Sequence, residues 1–299
     1  MKNTALILAA ALLLASCVGN KKIAAAKSKL DGIKGQMREE TTTISGISTQ
    51  AKEKLQVNKI DSNILHRIET RLDKANTQLD DAQKQVAQLD EILKNKKNTR
   101  KNYKKIILPL LDSLQKQSNR YAERLSLYLM IKDGLNVADF KLFDLAAFFG
   151  PGKYIIPDDK VDLAAQSFSP VVDSLMFFSN KYSQFPRTAT LIILGFADGT
   201  GYTAGSPLYN TLLTELGKTE AGKEELNQKI SELRSKELIK QLTNLYLKQA
   251  GSFKEADKLH IEYLGQGKGE QFPMPSIKDY RDDDERRRIV LCYWVVLPD

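Results

Sequence analysis

The sequence predicts an α+β domain carried behind a long helical arm, and three stretches predict it. Ala189-Thr-Leu-Ile-Ile-Leu-Gly195 is an apolar run too continuous for a sheet with one wet face, so it is expected as a central strand covered on both sides. Leu226, Ile230, Leu233, Leu238 and Leu242 fall at roughly helical spacing and predict an amphipathic helix. Ile68, Leu72, Ala75, Leu79, Ala82, Val86, Leu89 and Leu93 alternate steps of four and three, the seam of a left-handed coiled coil.

From the amino terminus, Met1-Lys-Asn-Thr is a short basic start, and Ala5 to Leu14 is an apolar run too short to span a bilayer comfortably. Leu14-Ala-Ser-Cys17 closes it with the pattern of a bacterial lipobox, in which small residues flank a thiol that receives lipid before cleavage. The alternative is an ordinary secretory signal with a chance cysteine; in both cases residues 1–16 stand outside the fold. The lipobox makes Cys17 the acylated first residue. One acyl chain, such as palmitate, anchors only marginally, and the bacterial lipoproteins this start resembles carry two or three. The expectation is a lipid-anchored protein of the outer membrane, facing the periplasm.

Residues 17–50 are rich in lysine, serine and threonine, with Gly32, Gly35, Gly46 and the run Thr41-Thr-Thr43, and are expected as a flexible tether that becomes helical in patches. Residues 51–133 form the helical, coiled-coil arm. Polar Asp73, Lys74, Gln78, Asp81 and Lys84 occupy the outside of its seam, and His66 is expected on its solvated surface. The block Lys94 to Lys105 breaks the seam, because so many charges cannot be buried. A second amphipathic stretch follows Pro109, a residue suited to a helix's first turn. Two readings stand: residues 50–93 and 110–132 fold back as an antiparallel hairpin, or they form an interrupted rod. The rod would take a second copy or a protein partner through the coiled coil. Residues 134–152, with Phe140, Phe143, Phe148 and Phe149, are expected as a hinge whose aromatics pack as core.

In the C-terminal stretch the central strand runs into Phe196-Ala-Asp-Gly-Thr-Gly201, where two glycines allow a sharp turn and leave Asp198 at the strand's carboxyl end. The pattern Gly195-x-x-Asp198-x-x-Gly201, followed by Asn227-x-x-Ile230-Ser231-x-x-Arg234 on a helix, resembles the OmpA C-terminal-like peptidoglycan-binding domain. The likeness covers roughly residues 153–298, so the domain is set at 153–299. It implies a βαβαββ-type arrangement with a mixed sheet. Val161-Asp-Leu163 would be the opening strand and Pro170 the start of the first helix. Leu259, Ile261 and Tyr263 would lie on a third strand ending at Gly265-Gln-Gly-Lys-Gly269, and Ile289 to Val296 would be the last. His260, on the opposite face of the third strand, is expected to be structural or solvated.

The sequence departs from the family in four places, the first being Val161 and Leu163 where the opening strand usually carries aromatic residues. Phe196 and Ala197 replace the common histidine and threonine, Arg286 stands where Asn-Arg-Arg-hydrophobic has its asparagine, and the connection from Asp198 to Asn227 is long. Tyr209-Asn-Thr-Leu-Leu213 within that connection is a rival motif, but its arginine position is Gly217, so Asn227 and Arg234 are preferred. The insert, with Tyr202 and Tyr209, is expected as a lid.

The resemblance assigns Asp198 to the ammonium of a diaminopimelate stem peptide and Arg234 to its carboxylate. Asn227 and Arg288 are supporting contacts. Such a zwitterion requires an acceptor beside a planar donor fork. The reading is therefore a peptidoglycan-binding lipoprotein that links the membrane to the cell wall. The alternative is a scaffold that recruits a partner through its coiled coil and whose domain has lost that ligand. No enzyme, cofactor or metal is expected: no histidine stands near a candidate nucleophile, and there is no ligand cluster or phosphate loop. The net charge of +8 points to anionic headgroups or cell-wall polymer as counter-surfaces, or to a solvated lysine-rich surface, and not to nucleic acid. With Cys17 lipidated, Cys292 has no disulfide partner and is expected as a small core residue.

Overall fold

A computed structural model describes the chain except residues 1, 58, 138–139, 144–151 and 275; side chains are also undescribed at 2–18, 96, 98, 122, 137 and 140–143. The expectations for Phe148 and Phe149, and those for the side chains of Cys17, Phe140 and Phe143, thus lie outside the described residues. The chain divides into two compact units, one helical and one α+β, with α5 (Tyr121–Val137) contributing Tyr121–Leu129 to the first and Met130–Val137 to the second.

The helical unit contains α1 (Lys2–Gln56), α2 (Ser62–Lys94), α3 (Lys96–Asn102), a π-helical turn at Tyr103–Ile107, and α4 (Leu108–Asn119), whose first turn carries Pro109. Lys34–Asp90 at 2.7 Å and Lys52–Glu69 at 3.6 Å align α1 antiparallel to α2. Contacts of Gln36 with Ser118 and of Glu40 with Arg124 align it parallel to α4 and α5. The α2 seam residues from Ile68 to Leu93 are all buried, and His66 is exposed.

The expected tether is instead part of α1. Ala26, Leu30, Ile33, Glu40, Ile44, Ile47 and Ala51 are buried, with Met37 partly so, in steps of three and four. That stripe outweighs the roughly 1 kcal/mol each glycine costs inside a helix. Glu40 lies within the stripe, and Arg124 grips its carboxylate through Nε at 2.6 Å and Nη2 at 2.8 Å while Tyr128 Oη donates at 2.7 Å. Burial, then the Glu40 contact, pushes the Tyr128 phenol well above its ordinary range.

The second unit is α+β. Strands β1 (Phe140–Phe143), β2 (Arg187–Gly195), β3 (Leu259–Gly267) and β4 (Val290–Pro298) form one sheet in the order β1-β4-β2-β3. The β2–β3 pair is parallel, and both pairs made by β4 are antiparallel, so β2 is internal. Helices α6 (Val161–Lys181) and α8 (Lys223–Gln249) share the buried core with Ala189, Leu191, Ile193 and Trp294. Cys292 is fully buried there, and burial pushes its thiol far up.

Four expectations are corrected. Val161-Asp-Leu163 is the first turn of α6 and not a strand, since Ala164, Phe168, Val171, Val172 and Leu175 bury one helical face and Asp162 stands in the first turn, where the helix dipole favours it. Pro170 lies inside that helix; it cannot bond the Gln166 carbonyl, and Ser169 Oγ donates to that carbonyl at 3.1 Å instead. The opening strand is β1, in the stretch expected as a hinge, so the sheet begins before residue 153. The connection from 202 to 222 is a packed helix and not a lid: α7 (Pro207–Leu216) starts at a Ser206 cap, ends at left-handed Gly217, and buries Leu212 and Leu213 beside Leu226, Ile230 and Leu233.

Helix α8 approaches the sheet closely enough to exclude side chains. A Cβ on Gly195 would overlap the Ser231 carbonyl oxygen, and one on Gly267 would lie 2.5 Å from Ser231 Oγ. Gly195→Ala is therefore expected to destabilise the α+β unit by about 1–3 kcal/mol, the usual range for overpacking. Denaturant unfolding followed by the fluorescence of Trp294, the one tryptophan, would measure it.

Candidate functional site

The site forms where β2 ends. Backbone bonds from Phe196 N to Ile289 O (3.0 Å), Ala197 N to Gly269 O (2.8 Å) and Gly199 N to Asp282 O (2.6 Å) hold this turn to the segment joining β3 and β4. Phe196 and Ala197 are both buried core residues. Between them and Gly199 projects Asp198, whose Oδ1 accepts from Thr200 N at 3.1 Å. Its Oδ2 lies 2.8 Å from Arg288 Nε, with the two side chains 15% and 17% exposed. Arg288 in turn donates through Nη2 to Asp283 O at 3.2 Å.

Arg234 approaches from α8 and is only 3% exposed. Its Nη1 donates to Phe196 O at 2.8 Å and its Nε to Lys153 O at 3.4 Å. Burial brings its guanidinium down to about 10, while the Asp198 carboxylate opposes that fall and Arg288 adds to it. At neutral pH it still carries its charge. One carboxylate thus faces two guanidinium groups, a surplus of positive charge suited to a carboxylate ligand. The Asp198 oxygens supply an acceptor for an ammonium.

Asn227, one α8 turn pair before Arg234, is 1% exposed. It accepts from Tyr202 Oη at 2.5 Å and donates to Glu270 Oε1 at 2.7 Å. Lys223 lies 3.5 Å from Glu270 and donates to Gly199 O at 2.8 Å. All four residues expected from the sequence therefore gather around the end of β2, Asn227 through this polar chain. Glu270 and Lys223 were not expected in it, and Tyr202 was expected only as part of a lid. Glu270 follows directly on the glycine-rich end of β3, which was the available signal; Tyr202 had no signal beyond its place in the insert.

The segment joining β3 and β4 is stiffened by a stack absent from any spacing rule. Arg287 lies 5.0 Å over the Phe272 ring, Phe272 stacks on Tyr280 at 5.1 Å, and Arg286 lies 5.3 Å over Tyr280. Arg287 also donates to Glu270 O at 2.6 Å and Arg281 O at 3.2 Å. Arg286 pairs with Asp284 and Asp279, and its hydrogen bonds hold the Asp284 carboxyl far below its ordinary range. His260 is exposed and 3.9 Å from Glu262. Among the described residues no His, Cys, Asp and Glu group could hold a metal, and no helix is long and apolar enough to cross a membrane.

Tyr202→Phe would leave the buried Asn227 Oδ1 without its donor. A loss of about 1–3 kcal/mol is expected, read as a lower Trp294 unfolding midpoint, with Asp198 and Arg288 untouched.

Comparison with family models, with curated proteins and with solved structures gives no match.

Proposed function

We propose that the chain is a lipid-anchored cell-envelope protein whose α+β unit binds peptidoglycan non-covalently and ties a membrane to the wall. The observation that carries this reading is the gathering of Asp198 and Arg234 at the carboxyl end of β2, with Arg288 on the same carboxylate. The free end of a diaminopimelate stem holds an ammonium and a carboxylate on one carbon. Asp198 would take the first and Arg234 the second, with Asn227 and Arg288 in support; no bond is broken. The element order, with α7 added between β2 and α8, is compatible with the βαβαββ arrangement that the OmpA-like resemblance implies. Cys17 would carry the lipid and place the chain on the periplasmic face of the outer membrane.

A second reading is favoured by one feature of the same site. Arg288 already pairs with Asp198, and Arg234 is spent on backbone carbonyls, so a ligand would have to compete with both. A scaffold that keeps the fold and has lost the ligand would look this way.

The two readings separate by titration of the full chain with a diaminopimelate-containing stem peptide, since β1 belongs to the sheet and a chain starting at residue 153 would lack it. Asp198→Asn loses the charge facing the ammonium, and Arg234→Lys keeps charge but loses the fork. Charged hydrogen bonds contribute roughly 1.5–3 kcal/mol, so each variant should bind at least about tenfold more weakly. Equal binding by wild type and both variants would reject these residues, and no binding by folded wild type would favour the scaffold. For the anchor, Cys17→Ser should release the protein into the soluble periplasmic fraction; persistent membrane partitioning after a high-salt wash would sink the lipid reading.

A further inference from the structure

The positive charge of this chain is concentrated in two segments that the helical unit brings together. Residues 19–29 carry Lys21, Lys22, Lys27 and Lys29 and no acid, and residues 94–105 carry seven lysines and arginines and no acid. Set against a net charge of +8, these eleven leave the rest of the chain at −3. The segments are distant in sequence and adjacent in space: Arg100 Nη2 donates to Asn20 Oδ1 and Tyr103 Oη to Lys22 O, each at 3.3 Å.

The second segment is an ordered reversal. Asn95 is extended and its Oδ1 accepts from Lys97 N at 3.0 Å, while buried Thr99 donates to Ile92 O and Asn95 O at 2.9 Å. Every lysine and arginine of both segments whose side chain is described is exposed, and among the described residues no carboxylate pairs with any of them. Lysines clustered in this way repel one another; the carboxylates at the margin of the patch, Asp31 and Asp90, pair with Lys34, so an anionic counter-surface would relieve what remains.

We propose that this basic end of the helical unit docks on an anionic lipid surface. Cys17 precedes Asn20 by three residues, about 5 Å of helix rise, so an acyl group there would hold this surface at the headgroups. A lipid chain and a polybasic patch are complementary signals, since one acyl chain alone anchors weakly. Nucleic acid is the poorer fit, because binding to single strands uses exposed aromatic rings between the cations, and Tyr103 is half-buried and turned to Lys22. The inference rests on the lipid-anchor reading for orientation only.

The test uses the chain from Val18 onward, with both units and no acyl group, so that it is independent of the fate of Cys17. Binding is measured by co-flotation with vesicles of phosphatidylcholine alone and with phosphatidylglycerol added. Wild type should bind the anionic vesicles, ignore the neutral ones and be released by salt. Each surface lysine near an anionic membrane contributes about fivefold in affinity. Lys97→Gln/Arg100→Gln/Lys101→Gln/Lys104→Gln should therefore weaken binding at least about tenfold, as should Lys21→Gln/Lys22→Gln/Lys27→Gln/Lys29→Gln, which keeps a readout if the first set misfolds. Lys236→Gln/Lys240→Gln/Lys248→Gln/Lys254→Gln, in the other unit, should bind as wild type does. Equal binding to both vesicles, unchanged affinity in both basic-end variants, or binding to an oligonucleotide but not to vesicles would overturn the proposal. Acylation and stem-peptide binding are read in separate experiments, so their failure would leave this result standing.

Discussion

The close approach of α8 to the ends of β2 and β3 is the constraint on which the rest of the α+β unit depends. Gly195 and Gly267 leave room for the Ser231 backbone and hydroxyl, and Gly265 does the same for Ser235 and Ile239. Ser231 Oγ then accepts from Gly269 N at 2.9 Å, which fastens the segment leaving β3 to the helix. From that contact the site follows. Arg234, one turn beyond Ser231 on the same face, is delivered to the carbonyl of Phe196, and Asn227, one turn before, to Glu270. A bulkier residue at any of these small positions would lift the helix and pull the arginine from the strand end. The pattern of glycines and serines is thus a packing requirement first and a binding motif only through what that packing positions.

The electrostatics of the site are set by an imbalance. A buried arginine without a carboxylate partner is expensive, and several kcal/mol is a common effective penalty for a buried ion. Here Arg234 spends its donors on carbonyls and keeps Asp198 nearby as the main opposing charge. Asp198 in turn is shared with Arg288, so neither arginine is fully neutralised. An incoming carboxylate would relieve both, whereas an incoming ammonium would have to displace Arg288 from Asp198. The site is accordingly better prepared for the acidic half of a zwitterion than for the basic half. Arg288 is the group whose movement would decide whether both halves fit.

How much of this was legible in the sequence depended on the kind of signal. The Leu226–Leu242 helix was readable because helix periodicity acts locally, and Ala189–Gly195 because its apolar run is unbroken; the expected cover on both faces is not met, since Ile192 and Leu194 are only half-buried. Asp198 was readable as the turn at the strand's carboxyl end and Arg234 from its place on the helix, although the connection between them is long. The opening strand was misplaced because Val161-Asp-Leu163 alternates over only three residues, and the helical face from Ala164 to Leu175 overrides so short a signal. Arg187 carried no signal at all. It is fully buried at the start of β2, donating to Ser179 Oγ at 2.7 Å and to the carbonyls of Phe185 and Lys254 at 3.1 and 2.9 Å. Only the folded chain brings those carbonyls to one point.

The helical unit shows the same limit from the other side. Residues 17–50 look like a tether because glycines and a threonine run interrupt a lysine-rich stretch, yet a seam of steps of three and four runs through it with Glu40 in the middle. A glutamate at a seam position reads as a break in the pattern. Here it is the partner of Arg124 and Tyr128, and a lone buried carboxylate would be strongly destabilising. The pairing therefore restricts which helices can lie against α1 and in what register, since sliding α4 and α5 by a turn would strand both charges. The same packing bears on association through the α2 seam. Its apolar residues are all buried within one chain, Ala82, Val86, Leu89 and Leu93 against α1 and α4, so a second copy could reach them only by opening the bundle. A partner for this unit is better sought on the outer surface of the helices, where the charges are, than along the seam.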